Sequence, residues 1–158
     1  MGRDLLGDDL PPDEVNIIDP GKDYGWPYCY GQAILDASVD KSKLDFCNTT
    51  TTSHIDIPAH SAPLGLAFIP QTWPQEYQHD LLIAYHGSWN RSTPTGYKIV
   101  RAQLSSQGNF VGFTDFITGW LTNDNQALGR PVALIFNPQG YLFISDDKAG
   151  IIYQVKPL

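Results

Sequence analysis

From residue 61 onward the chain alternates short apolar runs with turn residues, the pattern of strands in an antiparallel sheet. Pro63-Leu64-Gly65-Leu66-Ala67-Phe68-Ile69-Pro70 predicts a strand closed by a proline, which cannot extend a central ladder. The same pattern returns as Pro131-Val132-Ala133-Leu134-Ile135-Phe136-Asn137-Pro138. A second strand follows in each copy, Leu81–His86 and then Tyr141–Ser145. A third follows again, over 96–104 and then 150–158. Asn137-Pro138-Gln139-Gly140 carries Pro and Gly where a type I or II turn wants them. Repeated meanders of three or four strands suggest the blades of a β-propeller. The first copy has a candidate fourth strand, Phe113–Thr118, whereas the second stops after its third. Many propellers take that outer strand from the other terminus of the chain, and the amino terminus here offers none. Open sheet edges invite pairing, so the chain is expected to lack blades or to self-associate.

The remaining sequence has a different character. Residues 1–31 are rich in Asp, Pro and Gly and end in the cluster Tyr24-Gly25-Trp26-Pro27-Tyr28. Residues 32–60 are polar, with the run Asn48-Thr49-Thr50-Thr51-Thr52-Ser53, and read as a loop excursion. The expected organisation is therefore 1–31, a loop and aromatic segment; 32–60, an excursion; 61–120, one blade; and 121–158, a last, incomplete blade. Fourteen glycines and twelve prolines among 158 residues suit many turns and argue against long helices, so the expected fold class is all-β.

Charge removes some functions from consideration. The net charge is −7 and the ten basic residues are scattered, so a nucleic-acid partner is not expected. The longest clean apolar runs, such as Leu81–Tyr85, are far short of the ~20 residues needed to cross a bilayer as a helix. Met1-Gly2-Arg3-Asp4-Leu5-Leu6 lacks the apolar core of a signal peptide, and Leu6 breaks the myristoylation pattern. The two cysteines, Cys29 and Cys47, are too far apart for a C-x-x-C motif. Two readings stay open for them: buried thiols, or one disulfide closing the Thr-rich loop and implying an oxidising compartment.

Candidate chemistry gathers at the motifs. Asp8, Asp9, Asp13 and Glu14 form an acidic stretch. Such a stretch is either a solvated loop or a source of oxygen ligands for calcium, which takes carboxylates and carbonyls together. EF-hand spacing is absent, so any such site is a loop site. His60 and His86 are acid/base types near motifs, whereas His54 and His79 have no motif context and read as surface residues. Trp120 reads as core, and Trp26 and Trp89 are either core residues or faces for stacking a sugar. Asn48-Thr49-Thr50 and Asn90-Arg91-Ser92 fit the glycosylation pattern.

Taken in order, the motifs are the opening segment Gly2-Arg3-Asp4-Leu5-Leu6-Gly7-Asp8-Asp9-Leu10-Pro11-Pro12 running through Asp13-Glu14-Val15-Asn16 into Tyr24-Gly25-Trp26-Pro27; His60-Ser61-Ala62-Pro63-Leu64-Gly65; His86-Gly87-Ser88-Trp89-Asn90-Arg91; Gly129-Arg130-Pro131-Val132; and Ser145-Asp146-Asp147-Lys148-Ala149-Gly150. Across nearly the whole chain this order resembles the PQQ-dependent soluble glucose/sorbosone dehydrogenases, and most of all their sorbosone dehydrogenase-like branch. The resemblance implies the carboxy-terminal part of a six-bladed β-propeller, about two blades plus a calcium-loop segment. It implies a periplasmic or secreted enzyme that oxidises a sugar by hydride transfer to PQQ, with calcium polarising the quinone.

By the same resemblance, Asp13 and the Tyr24 carbonyl match calcium-loop positions, with Asp9 and Gly7 as neighbouring candidates. PQQ carries three carboxylates, which suits a planar guanidinium. Arg130 sits where the family has a cofactor-contacting arginine. Arg91, with His86 in reserve, falls where relatives place another basic ligand. A second basic residue is common just upstream of Arg130, and Leu128-Gly129 stands there instead. The family's catalytic histidine belongs to an earlier blade, so no catalytic residue is assigned and the chain alone is expected to be inactive. Two rival readings are a non-catalytic propeller interaction module and a calcium-dependent propeller lactonase.

Overall fold

In a computed structural model the chain is described over residues 5–157, so the Gly2-Arg3-Asp4 start of the opening motif and Leu158 lie outside the described residues. Two compact units appear, Met1–His60 with Asn90–Ser92, and Ser61–Trp89 with Thr93–Leu158.

The first unit is built from short pairings. Strand β1 (Asp13–Val15) is followed by the two-residue strands β2 (Cys29–Tyr30) and β3 (Ile34–Leu35), which pair antiparallel with each other. A short helix, α1 (Leu44–Cys47), precedes β4 (Ile55–Ile57), which runs antiparallel to β1 with Glu14 opposite Asp56. With so little sheet, covalent closure matters. Cys29 and Cys47 form a disulfide, Cα atoms 5.7 Å apart, that ties β2 to the end of α1. Both cysteines are buried, and the Tyr28 and Phe46 rings beside them meet edge to face at 5.6 Å. Closing a loop with a sequence separation of 18 adds about 3 kcal/mol in the chain-entropy picture.

The second unit holds two antiparallel sheets. Strands β5 (Pro63–Phe68), β6 (Leu81–Tyr85), β7 (Lys98–Leu104) and β8 (Phe110–Ile117) form a four-stranded meander in sequence order. Strands β9 (Pro131–Phe136), β10 (Leu142–Asp146) and β11 (Ile151–Val155) form a three-stranded one. The turn into β10 closes as its sequence demands: the Gly140 amide donates to the Asn137 carbonyl at 2.9 Å, and the Asn137 side chain accepts from the Gln139 and Tyr141 amides. Strands β7 and β11 start later than expected. Gly96 and Tyr97 both take positive φ ahead of β7, and Gly150 does the same ahead of β11, so extended pairing begins only after them.

The two sheets pack through one core. Leu82, Ala84 and Ile99 of the first sheet meet Leu134, Leu142 and Ile144 of the second, with Trp73, Tyr97 and Trp120 closing the ends. The contact is tightest where β5 crosses β9. A Cβ on Gly65 would fall on the Val132 carbonyl oxygen and within 2.9 Å of the Ala133 Cα, so only glycine fits. Trp73 meets Phe136 edge to face at 5.5 Å while its indole N–H donates to the Gly140 carbonyl at 2.7 Å. That bond satisfies the one polar atom of a ring whose remainder is buried.

Leu142 is fully buried in this core. Leu142→Ala is expected to lower unfolding free energy by about 2–5 kcal/mol, read from a urea midpoint with unchanged slope. Replacing Cys29 and Cys47 by serine is expected to cost about 3 kcal/mol in the same assay, with the loss concentrated in hydrogen exchange of the first unit.

Candidate functional site

The acidic loop of the first unit is held by residues distant in sequence. The His60 Nε2 donates to the Gly7 carbonyl at 2.7 Å, from a backbone position with φ of 66°. Arg91 donates through Nη2 to the Asp9 carboxylate at 2.9 Å and through Nη1 to the Ala59 carbonyl at 3.2 Å. The Ser92 amide donates to the Asp8 carboxylate at 3.1 Å. The Ser92 backbone and hydroxyl hydrogen bonds hold the Asp8 carboxyl below the ordinary range, and the Arg91 and His60 charges act the same way. Gly7, Asp9 and Arg91 are thus brought together, and His60 has a structural task rather than a base's. The Asp9 side chain is 86% exposed, so its pairing with Arg91 contributes at most about 1 kcal/mol and is readily exchanged for another anion.

Asp13 and Tyr24 sit elsewhere in that unit. Asp13 begins β1, opposite Ile57. The Tyr24 hydroxyl donates to the Ile17 carbonyl at 2.6 Å and accepts from the Asp19 amide at 2.9 Å, which fixes the turn ahead of Gly25. Glu14 is occupied: it accepts from the Gly31 amide and from the Asn16 Nδ2. The other atom of that amide, Asn16 Oδ1, is buried and has no partner among the described residues. Sequence reading passed over Asn16 even though it closes the Asp-Glu-x-Asn motif.

A buried amide oxygen without a donor suits a hard cation, so the donor chemistry of this loop fits calcium. Among the described residues no group of three or more His, Cys, Asp or Glu side chains could hold a metal. A calcium site here therefore draws on carbonyl and amide oxygens more than on clustered carboxylates.

His86 and Arg130 meet in the second unit. Arg130 donates through Nε to the His86 carbonyl at 3.1 Å and through Nη2 to the Gly87 carbonyl, and its guanidinium lies 5.3 Å from the Tyr97 ring centre. The His86 Nε2 faces the Asp147 carboxylate at 3.0 and 3.2 Å. Arg130 is therefore a cation whose orientation is set by backbone carbonyls and an aromatic ring.

Asp146, next in sequence to Asp147, ties this region down. Its carboxylate accepts from the Arg130 amide at 2.9 Å, the Ala149 amide at 2.8 Å and the Tyr153 hydroxyl at 3.1 Å, and that hydroxyl accepts from Trp120. Burial pushes the Asp146 carboxyl up, but the Ala149 and Arg130 amides, the Tyr153 hydroxyl and Trp120 outweigh it and hold it below the ordinary range. Trp120 is buried as expected, whereas Trp26 is 61% and Trp89 73% exposed. His79 is exposed and His54 half-buried.

The chain matches the TrAA12-like family over residues 29–157. It belongs to that family. A Borreliella burgdorferi protein is 37% identical over 98% of this chain and 41% of its own length. The pyrroloquinoline quinone-dependent pyranose dehydrogenase of Coprinopsis cinerea is 32% identical over 63% of this chain and 16% of its own. The holo form of the pyranose dehydrogenase PQQ domain from that fungus superposes with a TM-score of 0.70 at 24% identity, over 93% of this chain and 44% of that domain. The calcium structure of the Trichoderma reesei family AA12 enzyme superposes at 0.75 and 23% identity, over 97% and 44%. This TrAA12-like chain spans less than half the length of these relatives, and its fold is an incomplete β-propeller, as the repeat suggested.

The Asp146 carboxyl titrates lower in the folded chain than unfolded, so its contribution is present above the unfolded value and is lost as pH falls through the folded one. Stability is therefore expected to decline from about pH 4 downward. Asp146→Asn is expected to be less stable at neutral pH and to show a shallower acid decline, measured as urea midpoints across pH.

Proposed function

We propose that this chain forms part of a PQQ- and calcium-dependent sugar dehydrogenase, supplying the calcium loop and part of the cofactor clamp. The observation that carries this reading is the 32% identity with the pyranose dehydrogenase over 63% of this chain, together with an Arg130 guanidinium oriented by backbone carbonyls. Candidate oxygens for calcium are the Gly7 carbonyl and Asp9 of the acidic loop and, elsewhere in the unit, Asp13, the Tyr24 carbonyl and Asn16 Oδ1. In the second unit Arg130 and His86 would hold a carboxylate of PQQ, and in the first unit Arg91 is a separate candidate for one. When bound, the quinone supplies the hydride acceptor and the metal the polarising charge.

The chain's own residues then do the positioning. Arg130, gripped by the His86 and Gly87 carbonyls, presents its charge in a fixed orientation. Arg91 exchanges Asp9, a weak surface partner, for a ligand carboxylate. Asp147 keeps the His86 ring oriented through Nε2. Exposed Trp89 offers an apolar face of the kind on which sugars stack. No group in the described residues stands out as the base that takes the sugar proton, so the 158 residues on their own bind but do not turn over. The disulfide agrees with a periplasmic or secreted location, since such bonds persist in oxidising compartments.

The test is calorimetric titration of the chain with PQQ and calcium, followed by a dye-reduction assay with sugar. Saturable, calcium-dependent PQQ binding without sugar-dependent dye reduction is expected. Arg130→Ala is expected to weaken binding roughly 10–100-fold, the loss of one charge-assisted contact. Absence of PQQ binding, or lactone hydrolysis without PQQ, would contradict the reading.

A further inference from the structure

The internal repeat sets one buried position of each sheet against its counterpart. In the first sheet Pro63 pairs with Tyr85, and in the second Pro131 pairs with Asp146, each beside a shift in register. Tyr85 and Asp146 are both 3% exposed. The same slot takes a phenol ring in one copy and a carboxylate in the other, so this corner of the fold does not itself demand a charge. The residue ahead of the proline differs too: Ala62 in the first copy, Arg130 in the second. Burying a carboxylate costs free energy that a ring does not, and here it accompanies the arginine.

The contacts show what the carboxylate does there. Its Oδ1 accepts from the Arg130 amide at 2.9 Å and from the Ala149 amide at 2.8 Å, and its Oδ2 accepts from the Tyr153 hydroxyl at 3.1 Å. It lies against the backbone of residue 129, where a Cβ would fall on the carboxylate and within 2.5 Å of the Trp120 ring. Pro131 restricts Arg130 from the other side, since a residue before proline is held to extended backbone. The direction of the Arg130 side chain is thus set from both ends. Its guanidinium comes to rest on the His86 and Gly87 carbonyls and beside the Tyr97 ring. A carboxylate on the guanidinium competes with an anionic ligand, as Asp9 does at Arg91; one on the amide does not.

We propose that Asp146 is a positioning residue for Arg130. Acting through the backbone amide, it sets the direction in which the guanidinium meets an anionic ligand. That the ligand is a carboxylate of the quinone rests on the reading above; that Asp146 aims Arg130 does not.

Two readouts on the intact chain test this. The first needs no ligand: with isotope-labelled arginine, NMR follows hydrogen exchange of the Arg130 Nε–H, which donates to the His86 carbonyl. Asp146→Ala is expected to speed that exchange about tenfold relative to the backbone amides of β10. Asp146→Asn keeps an oxygen for both amides and is expected to exchange like the parent. If Asp146→Ala does not fold, Asp146→Ser takes its place, its hydroxyl falling short of the Arg130 amide. The second readout is PQQ affinity in the presence of calcium. Asp146→Ala is expected to weaken binding about tenfold in the parent and to add nothing to Arg130→Ala, the non-additivity of residues that act as one. The proposal is overturned by unchanged Nε–H exchange in Asp146→Ala, or by equal acceleration in Asp146→Asn, which marks loosening of the whole turn. Equal weakening of PQQ binding with and without Arg130 overturns it as well. If the parent chain binds no PQQ, the quinone reading falls, and the Nε–H exchange alone decides whether Asp146 aims Arg130.

Discussion

The close approach of β5 and β9 at Gly65 is the constraint on which the second unit depends. Two antiparallel sheets share a core only if their inner strands come near enough for Leu82 and Ala84 to reach Leu134 and Leu142. A side chain at position 65 would hold those strands apart at the Val132 carbonyl. Everything chemical in this unit hangs from the ends of the strands so fixed. Strand β6 delivers His86, the start of β9 delivers Arg130, and the end of β10 delivers Asp146 and Asp147. The Arg130 guanidinium then reaches back to the His86 and Gly87 carbonyls, joining the two sheets by a charge-assisted contact as well as by apolar packing.

The cations singled out for the cofactor differ in how firmly they are held. Arg130 is bound by backbone carbonyls and by the Tyr97 ring, partners that do not compete as anions. Arg91 faces a single exposed carboxylate, and the ends of such a pair separate at little cost. The acidic loop follows similar logic. His60 and Ser92 fix Gly7 and Asp8 by their carbonyl and carboxylate, while the Asn16 oxygen lies buried without a donor.

Much of the fold was legible because the strands carry simple signatures. The two Pro-bounded apolar octets announced the repeat, and the run at 81–86 read as a strand; the structure shows Leu81–Tyr85 buried on both faces. Strand starts were misplaced where backbone conformation overrides side-chain pattern, as at Gly96 and Tyr97. The state of Cys29 and Cys47 was open, because spacing alone does not bring two thiols within reach. Contacts such as Arg91 with Asp9, 82 residues apart, and His60 with Gly7, 53 apart, leave no local trace in sequence. The structural task of Asp146 was hidden for the same reason, since three of its donors come from different turns and strands.

If the β5–β9 approach governs this unit, the most direct measurement is the urea unfolding midpoint of Gly65→Ala. A single methyl group should cost about 1–3 kcal/mol, because backbone rather than a flexible side chain stands in its way. A midpoint equal to that of the parent chain, with unchanged hydrogen exchange in β6 and β10, would contradict the account.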